Sequence, residues 1–433
     1  MSRNRVRLAV AVSLISVASL ALAGCSGSGT SKNSLDANNP SGTVQLWTRS
    51  VLAPWMDKVT ANFNKSHKGL HVKITSINDA QFPTKLSAVL RTNNVPDLIA
   101  ADPGPALSYL SSGNFLDITS KLKSSGLLTT LKGPQLQLAE NNGKYYGTPA
   151  ALDASVLLYN KDLFARAGIK TPPTSLDEML SDAKAIRALG PDIYGMTFAG
   201  NCPGCLGFTV LPNFWGKSPM ITGDDLRNQK ASVKNNAGLQ KTLEFYRQVW
   251  ADGLAPKSDQ SENGATWGKD FQSGNIGLMP APMGTYATAP AALKSKIGIV
   301  PLPTVDGGVS TFIGGGNFSI AKKAQNPGGA WAFMQYALSK SSQSLLPESG
   351  FAPIRSDLLQ SASFTAKNPT VLPELKAAQT GMILKTLYQT QLFNDAAGPW
   401  LAMFNTAVFS GDVPGAMAKE QTAFQPILSG SGY

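Results

Sequence analysis

Past residue 42 the apolar positions switch repeatedly between a period of two and a helical spacing. Val44 and Leu46 fall on one face of a strand over 43–47, and a second strand is predicted over 72–77. Between them Trp55, Val59 and Phe63 recur at helical spacing, which predicts an amphipathic helix with Trp55 in a core. A helix over 85–91 leads to a third strand, 96–101. Further helices are predicted over 176–189, along Leu239, Leu243, Tyr246 and Trp250, and along Trp331, Met334 and Leu338. Short strands are predicted at 276–279, 297–300 and 311–320, the last interrupted by three glycines. Strands and helices in alternation predict an α/β fold with parallel sheets covered by helices. The patterned region, about 390 residues, is longer than one core usually supports, so two domains are expected. No internal repeat or heptad pattern is seen.

The first 42 residues follow a different plan. Arg3, Arg5 and Arg7 precede an uncharged apolar run over 8–22, the layout of a signal peptide. The run is too short for a spanning helix, which needs about 20 apolar residues. It ends in Leu22-Ala23-Gly24-Cys25, which resembles the lipobox of bacterial lipoproteins. That likeness implies a signal peptide over 1–24, acylation of Cys25, and an extracytoplasmic protein anchored to the cell membrane by lipid. Most of the remainder up to residue 42 is Ser, Gly, Thr, Asn and Pro, a composition that buries too little surface to order itself, so 25–42 reads as lipidated cysteine and flexible tether.

Composition narrows the chemistry. The formal charge of +11 includes the three leader arginines and is scattered, without a basic run or a basic stripe interleaved with aromatics. A nucleic-acid partner is therefore not expected. Cys202 and Cys205, in Asn-Cys-Pro-Gly-Cys, favour a local disulfide in an oxidising compartment. Zinc needs four ligands, and the only histidines, His67 and His71, lie far away in sequence, so no metal or other cofactor is expected.

Enzyme signatures fail on inspection. Gly216-Lys217-Ser218 has Leu211 where a phosphate-binding loop needs its first glycine, and Gly264 to Lys269 is followed by Asp270 instead of Ser or Thr. No Gly-x-Ser-x-Gly elbow or His-Glu-x-x-His pair occurs. A carbohydrate-cleaving enzyme can work with two carboxylates alone, so it stays open as a rival.

Several stretches, in order along nearly the whole mature chain, resemble the extracellular solute-binding proteins of ABC importers, in particular the carbohydrate-type group that includes maltose-binding proteins. They are Thr43-Val44-Gln45-Leu46-Trp47, Pro96-Asp97-Leu98-Ile99, Gly143-Lys144-Tyr145-Tyr146-Gly147-Thr148-Pro149 and Leu158-Tyr159-Asn160-Lys161-Asp162-Leu163-Phe164. Phe271 to Met279 and Gly314 to Ile320 continue the likeness. The resemblance implies two lobes joined by three crossings, with a cleft that closes on ligand. It divides the chain into a first lobe of 43–151 plus 314–345 and a second of 152–313 plus 346–433. The implied role is capture of a sugar or oligosaccharide for a permease, by a monomer. Alternative ligands are a phosphorylated polyol, such as a glycerol phosphate derivative, or an amino sugar.

Sugar sites pair flat aromatic rings with carboxylates, amides and arginine. Three of the seven tryptophans lie on helical stripes. The other four, Trp47, Trp215, Trp267 and Trp400, sit at strand ends or beside Gly and Pro and are candidates for the cleft. Asp102 follows a strand at its carboxyl end, where open α/β sheets bind ligands. The family places a cleft carboxylate at Asp153 and returns through a hinge at Gly314, Gly315, Gly316 and Asn317, glycines that reach dihedrals barred to other residues. Where many sugar-binding relatives carry Gly-Pro-Trp this chain has Ala281-Pro282-Met283 with Tyr286 nearby, which puts Met283 and Tyr286 among the candidates. Arg49 and Arg355 are candidates to complement a phosphate or carboxylate.

Overall fold

The computed structural model describes residues 34–79, 81–131, 134–369 and 381–430. The expected signal peptide, Cys25 and the first part of the tether lie outside the described residues.

Eight strands form the central layer: β1 (Gly42–Arg49), β2 (Leu70–Ile77), β3 (Leu98–Ala101), β4 (Thr148–Asn160), β5 (Tyr194–Met196), β6 (Ile276–Pro282), β7 (Ile297–Val300) and β8 (Ile313–Ile320). Their order is β2-β1-β3-β8-β4-β6-β5, with β7 pairing on the far half of β4. The pairs of β1 with β2 and β3, and of β5 with β6, are parallel as expected. The strands that pass between lobes are not: β8 is antiparallel to both β3 and β4, and β4 is antiparallel to β6 and β7. A strand that returns from the other lobe arrives running the opposite way, which the alternation of strands and helices does not reveal.

The 13-residue β4 joins the halves. Residues 148–154 pair with β8 and residues 155–160 with β6 and β7. One core packs Trp55, Phe63, Phe318 and Phe333 around β1, β3 and β8, with a smaller cluster around Phe82, Leu86 and Ile99 on the opposite face. The other packs Tyr246, Phe393, Trp400, Phe404 and Phe424 against β4 and β6. Among the motifs, Pro96-Asp97 acts as a stitch: the buried Asp97 carboxylate accepts from the backbone N–H of Gln45 (2.8 Å) and of Asn326 (2.7 Å), fixing β3 against β1 and against the start of the helix Pro327–Ala337.

One expected boundary moves. Leu346, Phe351, Ala352, Ile354, Leu358 and Phe364, assigned from the sequence to the second lobe, pack in the first lobe's core. Ala352 and Leu152 exchange two backbone hydrogen bonds of 2.9 and 2.8 Å. By Met382 the chain is in the second core, hydrogen-bonded to the backbone of Thr311 and Ile313 beside the start of β8. An apolar stretch serves either core equally well, so its pattern does not say which lobe receives it.

Candidate functional site

The carboxyl ends of β1, β2 and β3 bring charge together at the edge of the first lobe, as open α/β sheets do. Arg49 closes β1; its Nε donates to Asp79 Oδ1 (2.6 Å), just past β2, and its Nη1 lies 3.2 Å from Asp102 Oδ2, the residue after β3. The same Nη1 donates to the Gly315 carbonyl on β8 (2.9 Å). Burial works against the Arg49 cation, but Asp102 and Asp79 outweigh it, and the guanidinium pKa is raised. Asp102 also caps the helix Pro103–Ser111, accepting from Gly104 N–H.

Asp153 sits in the middle of β4, opposite Gly314, where the strand leaves one lobe for the other. Its carboxylate receives the backbone N–H groups of Ala154 and Met283, yet the buried Oδ1 has no partner among the described residues. Burial pushes the Asp153 carboxyl up to about 7, against the pull of Arg49 and the two backbone donors. The sign of the consequence follows. Above pH 7 the folded protein carries the full penalty of an ionised buried group; toward the ordinary carboxylate range the penalty disappears, because the folded state holds the proton the unfolded chain has released. Asp153→Asn is therefore expected to melt above the parent, by a margin that widens from pH 5 to pH 8. Melting curves across that range check it, and a margin that shrinks with rising pH contradicts it.

The crossings are tied tightly. Gln135 Nε2 donates to the carbonyls of Ala151 (3.1 Å), Gly314 (3.2 Å) and Gly316 (3.4 Å), bracketing β4 and β8. A bulge interrupts the register at Gly316/Asn317, and both amide atoms of the buried Asn317 lack partners among the described residues. Two second-lobe side chains reach this region. The Phe208 ring lies where a Cβ on Gly314 would come within 2.9 Å, and the buried Gln389 carboxamide lies where a Cβ on Gly104 would come within 1.7 Å. The Gln389 Oε1 has no hydrogen-bond partner among the described residues.

The structure thus brings together Arg49, Asp102, Asp153, Met283 and Gly315 from the sequence-expected set, with Gly316 and Asn317 alongside. Trp47 is half-buried on β1 against the Phe82 cluster. Trp267, next to the left-handed Gly268, is half-buried beside Phe271 and Met279, with a buried Nε1 that has no partner among the described residues. The Tyr286 ring is also half-buried, with the Lys294 ammonium 5.7 Å from its centre. Trp215 lines a different place, a second-lobe cavity of about 350 Å³ with Thr222, Asp224, Gln229 and Thr386 among its walls. Two expectations fare worse. Trp400 is fully buried, its ring 5.8 Å from that of Phe393, because Pro399 opens a short helix that turns it into the core. Arg355 is engaged elsewhere, forked on Asp357 (3.0 and 2.8 Å) and bonded to the Leu338 carbonyl (3.0 Å). Cys202 and Cys205 are bonded to each other at the start of the helix Pro203–Val210.

Sequence reasoning missed Asp79, Gln135, Phe208 and Gln389. The rule that selected Asp102 applies equally to Asp79, two residues beyond β2. No local pattern marks the others.

Two lobes, long crossing strands and a polar cluster at the crossing define a two-lobed solute-binding fold of the maltose-binding type. The chain belongs to the bacterial extracellular solute-binding proteins, whose family model matches residues 58–373. A Streptomyces coelicolor protein, diacetylchitobiose binding protein DasA, is 26% identical over 392 residues, 87% of this chain and 88% of its own. A binding protein of Brucella abortus is 28% identical over 221 residues; there the match spans about half of each chain, 50% of this one and 52% of the relative. Among solved structures, the GacH receptor of Streptomyces glaucescens superimposes with a TM-score of 0.77 at 22% identity, over 90% of this chain and 98% of that one. These relatives are binding proteins and receptors rather than enzymes. Family membership places the chain outside the cytoplasm, and among the described residues no helix is long and apolar enough to cross a membrane.

Proposed function

We propose that this chain is the receptor of an ABC importer, capturing a sugar or oligosaccharide between its lobes and presenting it to a permease. The observation that carries the reading is Asp153: a half-buried carboxylate whose inner oxygen, Oδ1, has no partner among the described residues, on the strand that passes between lobes, facing Arg49 and the Met283 amide. A ligand hydroxyl supplies the donor that oxygen lacks, and binding there touches both lobes at once. Closure follows only from a ligand that contacts the two halves together. The named ligand of DasA, diacetylchitobiose, supports a carbohydrate. Anchoring through an acylated Cys25 is part of the same reading and rests on the leader and Leu22-Ala23-Gly24-Cys25.

A thermal-shift screen over mono- and oligosaccharides tests this. A ligand at 100 times its Kd contributes about 2.7 kcal/mol, which raises the melting temperature of a chain this size by roughly 3 °C. At least one carbohydrate is expected to do so. A full panel with no shift removes the sugar reading.

A further inference from the structure

The charge and the unpartnered atoms around Arg49 narrow the ligand further than its being a sugar. Three carboxylates, Asp79, Asp102 and Asp153, face a single guanidinium, and two of that guanidinium's nitrogens are already bonded, to Asp79, Asp102 and the Gly315 carbonyl. Among the described residues no other Lys or Arg makes an ion pair with Asp79 or Asp102. Asp79 and Asp102 alone outweigh the guanidinium, so the cluster is net negative whether or not Asp153 is ionised, and two of the three arginine nitrogens are engaged by the fold.

A second, independent observation points the same way. Gln389 reaches this place from the opposite lobe, 6% exposed, with its Oε1 unpartnered among the described residues and set against the start of the helix Pro103–Ser111. The N-terminus of that helix is no free anion site, because Gly104 N–H is taken by Asp102 Oδ1. Among the described residues the unpartnered polar atoms here are three oxygens, Asp153 Oδ1, Gln389 Oε1 and Asn317 Oδ1, which call for donors, against a single donor, Asn317 Nδ2. A hydroxyl, an amide N–H or an ammonium answers them. A phosphate or carboxylate brings only more acceptors, and negative charge beside negative charge.

We infer that this cleft selects by charge, taking a polyhydroxylated ligand that is neutral or bears a cationic amino group and rejecting one that bears phosphate or carboxylate. The inference rests on the receptor reading above and decides between its ligand classes: amino sugar over glycerol phosphate derivative.

The test is calorimetric titration of the mature protein at low salt with cellobiose, chitobiose and cellobionic acid, three β-1,4-linked disaccharides that are neutral, cationic and anionic, the last with its reducing-end ring opened, and with glycerol 3-phosphate. The expected order is chitobiose at least as tight as cellobiose, with cellobionic acid at least about 100-fold weaker, as like charges at a few ångströms in a partly buried site require. Asp79→Asn and Asp102→Asn each remove one charge while keeping an oxygen acceptor, which in Asp102→Asn preserves the helix cap. Each is expected to narrow the ratio of neutral to anionic affinity by about tenfold. The ratio is insensitive to any shared loss from misfolding, and the two variants check one another. Cellobionic acid binding as tightly as cellobiose overturns charge selection and leaves the sugar-receptor reading standing. Binding of glycerol 3-phosphate alone overturns both.

Discussion

Asp153→Ala is expected to weaken ligand binding by tenfold to several hundredfold while leaving the protein at least as stable as its parent. The carboxylate stands where β4 crosses between lobes, and a closing cleft lets it accept hydroxyl hydrogen bonds from the ligand. Bonds to a charged partner are each worth about 1.5–3 kcal/mol net, and each 1.4 kcal/mol is about a factor of ten in affinity. Stability moves the other way because the parent buries an oxygen with no partner among the described residues, and burial pushes the Asp153 carboxyl up to about 7. Removing a group whose ionised form is penalised by burial relieves the fold. Titration of Asp153→Ala with a carbohydrate identified by the screen, run beside its melting curve, separates the two effects. Unchanged affinity in a folded variant takes Asp153 out of the site, and lost affinity with a collapsed melting temperature makes its role structural.

Gly315→Ala is expected to destabilise the protein by on the order of 3–5 kcal/mol, the sum of a backbone strain and a steric clash. Gly315 has φ +116°, a conformation that residues with a Cβ rarely adopt. Space is lacking as well: an added Cβ would lie 2.1 Å from the Ala151 carbonyl oxygen and 2.9 Å from Asp153 N, both backbone atoms of the partner strand. Either β8 moves off β4 or the residue changes conformation, and both options displace the carbonyl that accepts from Arg49. Gly307 makes the control, since it has φ +78° but nothing within 4 Å of its would-be Cβ. Urea unfolding is expected to show a loss of about 1 kcal/mol for Gly307→Ala, the cost of the dihedral alone. A Gly315→Ala loss no larger than that of Gly307→Ala contradicts the tight crossing.

What could be read along the chain was whatever is written locally. The alternation at Val44 and Leu46 and the stripe of Trp55, Val59 and Phe63 are properties of single elements, and these residues are fully buried in the structure. Asp102 stood out because it follows a strand at its carboxyl end, and the same argument would have found Asp79; Arg49 was named only as a cation for an anionic ligand, without its carboxylate partners Asp79 and Asp102. Trp400 was misjudged because a Gly-Pro pair looks like a loop, whereas here the proline starts a helix that buries the ring. Arg355 is held by Asp357, only two residues on, a local pairing the sequence reading did not weigh, and by the Leu338 carbonyl, which no local pattern marks. Gln389 was invisible. It lies 285 residues from Gly104 and meets it only because two separately folded lobes approach each other, a relation that periodicity within one element does not encode. For the same reason the antiparallel course of β4 and β8 escaped the pattern of alternating strands and helices.

The central claim is that the cleft binds a carbohydrate and releases it unchanged. Its most direct test is to saturate the purified mature protein with the best oligosaccharide from the screen, determine the stoichiometry by calorimetry, and recover the ligand from the same sample for reducing-end analysis. The account predicts saturable binding of one molecule per chain, with every molecule recovered intact. Absence of saturable binding to any carbohydrate, or the appearance of new reducing ends above the protein-free control, would contradict it.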